Sequence, residues 1–134
     1  MARFSSLGLF GIFGRSSDLR ELDRAFRSVD LHPRLVPEAV KLTLVKLLKD
    51  QAIGSESVSQ AYRSAAEIVA YCMLGAEGFA STNGAQFTRK VEDRIEKALE
   101  SGTNLDARFV LLTLHAKVAQ PSVIHAFRLE SAED

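Results

Sequence analysis

Apolar side chains recur every three or four positions along most of this chain, and that spacing predicts helices. From Asp18 to Val29, Leu19, Leu22, Phe26 and Val29 fall on one helical face. Asp18 and Glu21 have capping-box spacing at its start, and Pro33 disfavours helical geometry at His32 beyond its end. A second helix is predicted from Pro37 to Gln51, with Pro37 suited to a first turn that needs no N–H and Gly54 as a stop. Val36, Val40, Leu44, Leu47 and Leu48 share its apolar face, while Leu42 and Val45 interrupt the polar one. That helix carries more apolar surface than one core contact uses.

A third helix, Glu56 to Leu74, begins amphipathic and ends in Ile68-Val69-Ala70-Tyr71-Cys72-Met73-Leu74, which is apolar all round. A helix with no polar face is surrounded by protein. Gly75, Gly78 and Asn83-Gly84 then predict a long junction over 75–84. The fourth helix, Ala85 to Glu100, has a narrow stripe of Phe87, Val91, Ile95, Ala98 and Leu99. Arg89, Lys90, Glu92, Asp93, Arg94, Glu96 and Lys97 cover the rest and read as a solvated face with i,i+4 pairs. The fifth, Leu105 to Ala119, is capped by Thr103 or Asn104 and carries two stripes. One is Leu105, Phe109, Leu112 and Ala116; the other is Ala107, Leu111, Leu114 and Val118. Two stripes require cover on two sides, from this chain or from another copy. Pro121 ends that helix, and a short sixth follows from Ser122 to Leu129.

These elements predict an all-α, single-domain bundle of five or six helices over residues 16–130, with the helices near 56–74 and 105–119 central. No run of alternating β-branched residues between turns competes. Residues 1–15 stand apart as a flexible apolar arm. Gly8, Gly11 and Gly14 make regular structure costly there, while Phe4, Leu7, Leu9, Phe10, Ile12 and Phe13 make solvation unfavourable. Residues 131–134 form an acidic tail.

Composition narrows the function classes. The chain has 134 residues and 46% hydrophobic content, enough for a core without a disulfide or a metal. Its 17 basic and 17 acidic side chains cancel, which argues against a nucleic-acid binder. Residues 1–54 sum to +3 and residues 55–134 to −3, an asymmetry too small to identify a partner. No stretch is long enough to span a membrane, and Phe4–Phe13 lacks a following cleavage site, so the expected location is cytoplasmic. Peripheral membrane contact through residues 4–13 is the weakest alternative. The single cysteine fits a reducing compartment.

No catalytic or metal constellation emerges, and no cofactor is implied. CxxC, HExxH and acidic calcium-loop spacings are missing from the sequence. Cys72, between Tyr71 and Met73, reads as an inert core thiol rather than a nucleophile. Glu67 reads as paired with Arg63 one turn back. His115 and His125 lack a third ligand at fixed spacing. The leading expectation is a non-enzymatic protein that binds protein, itself first, as a homodimer. Its partner surface is expected at Phe4, Phe10 and Phe13 of the arm and at Leu42 and Val45 of the second helix. The alternative is a small-ligand or cofactor carrier, with a pocket between the third and fifth helices lined by Tyr71, Met73, Phe109, Leu112 and His115.

Overall fold

The computed structural model describes residues 17–50 and 58–129. The expected arm with Phe4, Phe10 and Phe13, the acidic tail, the Gly54 stop and the first turn of the third helix lie outside the described residues. The rest is helical. Helix α1 covers residues 17–28, followed by a 3₁₀ turn at Pro33–Leu35, α2 at Glu38–Lys49, α3 at Val58–Asn83, α4 at Ala85–Ser101, α5 at Leu105–His115 and α6 at Pro121–Ala126. No strand occurs among the described residues. The molecule is an all-α bundle.

Helix α3 is its axis. It touches α2, α4, α5 and α6, and α5 in turn touches α2, α3 and α4. The all-apolar stretch explains this placement. Ile68, Val69, Ala70, Tyr71 and Cys72 are each at most 2% exposed, whichever way they point. Around them close Leu22, Phe26 and Val29 of α1, Val40, Leu44 and Leu48 of α2, Val91 and Ile95 of α4, and Phe109 and Val110 of α5.

The junction expected over 75–84 is largely helix, which corrects the sequence reading. Only Gly75 leaves the helical region, with φ 82° and ψ 167°, and residues 76–83 coil again as the second half of α3. The stretch recovers because Phe79 packs into the core at 0% exposure, edge-on to Tyr71 with ring centroids 5.8 Å apart. At the break the Cys72 carbonyl accepts from the Gln120 N–H at 2.8 Å. A Cβ at residue 75 would sit 3.2 Å from Ser122 Oγ, so the missing side chain also lets the start of α6 lie against α3.

Helices α1 and α5 close on a left-handed residue that is not glycine. In α1, Asp30 takes φ 66°, Leu31 N–H donates to Phe26 O at 3.0 Å, and Asp30 N–H donates to Arg27 O at 3.0 Å. In α5, Lys117 takes φ 62°, Val118 N–H donates to Thr113 O, and Lys117 N–H donates to Leu114 O, both at 3.0 Å. Both are Schellman closures with a strained non-glycine residue at the left-handed position. This is why α5 ends at His115, four residues before the expected Ala119. Asn104 caps the start of α5, accepting from Ala107 N–H at 2.8 Å, as the sequence predicts. Asp18 does not act as the expected cap: it lies inside the helical segment and its carboxylate meets Lys49 Nζ at 2.8 Å.

Candidate functional site

Helices α4 and α5 each have two differently used faces. Toward α3 they are joined by a polar tie centred on Arg94, which the sequence placed on a solvated face. Its Nε and Nη2 donate to the two carboxylate oxygens of Asp106 at 3.2 and 2.9 Å. Nη1 donates to Glu67 Oε1 at 2.8 Å, and Nη2 also reaches Ser64 Oγ at 2.7 Å and Ser64 O at 3.1 Å. One guanidinium thus links three helices through the two-pronged carboxylate geometry that arginine favours. Glu67 therefore pairs with Arg94 and not with Arg63 as expected. Burial raises the Glu67 pKa above its ordinary value, opposed by the charges of Arg94 and Arg63. Acid–base chemistry needs a carboxyl facing a substrate cleft, and here both carboxylates face the same arginine. The arrangement holds the bundle together.

One turn further along α3, the Tyr71 hydroxyl donates to Glu92 Oε2 at 2.7 Å. Its ring is flanked by Phe79 and by Phe127, the latter at 6.3 Å between centroids. Burial, and then the bond to Glu92, push the Tyr71 hydroxyl's pKa above its usual range. Aromatic side chains therefore lie against Tyr71 from two sides. Of the other four residues expected to line that pocket, Phe109 is buried, Met73 and Leu112 are half-buried, and His115 is exposed at the end of α5. None of the five lines either cavity described below. His125 is also exposed. Among the described residues, no three His, Cys, Asp or Glu side chains converge. Cys72 is buried, and desolvation raises its thiol pKa to about 11 despite a hydrogen bond with Thr113. A thiol so protonated and enclosed is a poor nucleophile.

Toward the C-terminal turn, the α4–α5 pair is left open. A groove of about 300 Å³ runs between the end of α4, the outer face of α5 and the C-terminal turn. Ala98, Leu99 and Gly102 form one wall, Ala107, Val110, Leu111 and Leu114 the floor, and Phe127, Arg128 and Leu129 the other wall. Three large apolar side chains are exposed among the described residues: Leu35, Leu99 and Leu111. The last two belong to this groove, Leu111 with 43% of its surface in water. Their clustering marks it out, because scattered exposed leucines are ordinary but a contiguous apolar concavity is not. A second, smaller cleft of about 130 Å³, lined by Glu21, Arg24, Ala25, Ser28, Ser59 and Arg63, is polar.

No family model matches the chain, and neither a curated protein nor a solved structure resembles it.

The groove was partly readable beforehand. Ala107, Leu111 and Leu114 belong to the second stripe of α5, which calls for cover, and Leu99 belongs to the apolar stripe of α4. That these meet depends on the α5–α6 turn, which residue spacing does not encode. The partner face expected on α2 fares differently. Val45 is 5% exposed, packed within the chain's own core, and Leu42 is half-buried. No described helix is long and apolar enough to cross a membrane.

Proposed function

We propose that this protein works by binding protein, with no chemistry of its own, and that the groove between α4, α5 and the C-terminal turn is where a second copy of the chain docks. The observation that supports this is the coincidence of Leu99 and Leu111 in one concave apolar site. Burying the two-fifths of each side chain still in water contributes on the order of 1 kcal/mol each. A groove of this form suits an apolar segment laid along it, with large side chains as anchors. The reading extends to location: one cysteine, buried inside the core, supports the cytoplasm as the compartment.

The test is the assembly state of the full chain by sedimentation velocity across a range of concentrations. The expected result is a dimer that Leu111→Glu converts to a monomer with an unchanged helical spectrum. Leu35→Glu, which alters the exposed leucine outside the groove, should leave the dimer intact. A wild-type chain that stays monomeric at the highest concentration overturns the proposal.

A further inference from the structure

We infer that the segment Phe4–Phe13 of one copy is what fills the groove of the other, an exchange of arms between two chains; this rests on the proposed self-association and names its contact. Sixteen residues precede Ser17, and ten of them, Phe4 to Phe13, carry six large apolar side chains. The groove is a concave apolar site among the described residues, lined by aliphatic side chains and Phe127, with Arg128 as its one charged member. Arm and groove match in character. They also match in charge. In sequence the arm is flanked by Arg3 and Arg15, and Leu129 is followed by Glu130, Glu133 and Asp134. Oppositely charged flanks set the register of such a contact more than its strength.

The path of the chain favours exchange over self-insertion. The start of α1 is fixed by Asp18, which interacts with Tyr62 of α3 and with Lys49 of α2. Helix α4 meets α3 through Ser64, Glu67 and Tyr71. At about 100° per residue, those three positions point roughly 140–200° away from Tyr62. Helices α1 and α4 therefore flank opposite sides of α3, and the groove is lined by α4, α5 and the C-terminal turn, with no residue of α1. Two helix spacings of 8–10 Å put it roughly 20 Å from the root of the arm. The link between Phe13 and Ser17 spans at most ~14 Å at 3.3–3.6 Å per residue. Seating the arm on its own chain would use its inner apolar residues as a bridge. A second copy removes that constraint, so the whole apolar run can be seated. Each chain carries one arm and one groove, so two copies related by a two-fold axis satisfy both and close the assembly.

The experiment uses the full chain with Phe10→Cys carrying a benzophenone, which crosslinks on irradiation to whatever lies against it. Cys72 does not compete for the label, because it is fully buried. The expected product has twice the chain mass, with the attachment mapped to residues 98–102, 107–114 or 127–129. Attachment elsewhere overturns the inference, as does a product of single-chain mass in which the arm has seated on its own groove. A second variant, with Phe4, Phe10 and Phe13 each replaced by Ser, should weaken the dimer by roughly a hundredfold, since a few buried aromatic anchors dominate such contacts. If this variant stays a full dimer while Leu111→Glu does not, the groove remains the interface and the arm is excluded from it. If Leu111→Glu is also without effect, the proposed function falls too.

Discussion

The two faces of the α4–α5 pair form a contrast within a single pair of helices. The face toward α3 holds one cation and two carboxylates, yet every group there has found a partner within the chain. The face toward the C-terminal turn is apolar and leaves Leu99 and Leu111 exposed. Ion pairs removed from water are stable only when geometry and hydrogen bonding are complete, so the inner face had to be resolved within the fold. Leucines in a groove cost comparatively little to leave wet, so the outer face can wait for a second molecule. The polar face of this pair is therefore closed, and the apolar face is the one open to association.

The largest expected effect breaks the inner face. Arg94→Ala leaves Glu67 and Asp106 half-buried with no cation between them, and should cost about 3 kcal/mol in chemical denaturation. That is the low end for a broken buried pair, because Arg94 is 26% exposed. Replacing Arg94, Glu67 and Asp106 together by Met, Leu and Leu should recover most of the loss, which would separate the cost of stranding charges from the worth of the tie.

Next comes the hinge that carries one wall of the outer face. Gly75→Ala forces a side chain into a backbone region that glycine alone adopts easily and against Ser122, at an expected cost of about 2 kcal/mol. It should also loosen the groove wall near Phe127, seen as faster amide exchange in residues 121–129.

A smaller effect is on pH. The folded state raises the Glu67 pKa above its ordinary value of 4.5, so between the two values the folded form holds a proton that the unfolded form has released. This contribution is fully present below 4.5 and declines as pH rises through the raised value. Glu67→Gln should remove that part of the slope in denaturation midpoints measured from pH 4 upward. An unchanged slope would assign it to other groups.

The smallest effect on stability is on the outer face itself. Leu111→Ser should shift the denaturation free energy of the monomer by no more than ~0.5 kcal/mol, as surface changes do. A loss near 3 kcal/mol would show that Leu111 is core and that the contrast between the faces is wrong.

Helix positions and the central role of α3 were legible because they depend on local spacing: five buried residues in a row at 68–72 admit only an interior helix. The cap at Asn104 was legible for the same reason. Three features were not. Residues 76–83 were hidden behind glycines that normally end helices, and only the burial of Phe79 shows why coiling resumes. The stops at Asp30 and Lys117 use residues that carry no left-handed signature. Arg94 sits among seven other charged residues of α4, and nothing in its spacing separates a buried guanidinium from a wet one. Its role follows from where α3 and α5 place Glu67, Ser64 and Asp106. Val45 misled for a related reason, since a position opposite one core can face another wall of the same core.

The bond from Gln120 to the Cys72 carbonyl has a consequence for how the molecule is made. The central helix is interrupted at a point that residue 120 must cover, forty-eight positions later in the chain. On the ribosome, the first four helices are complete well before that residue emerges, and domains settle as units. A nascent chain halted before Gln120 lacks this contact, so the last cover over the break in the central helix arrives only near the end of synthesis.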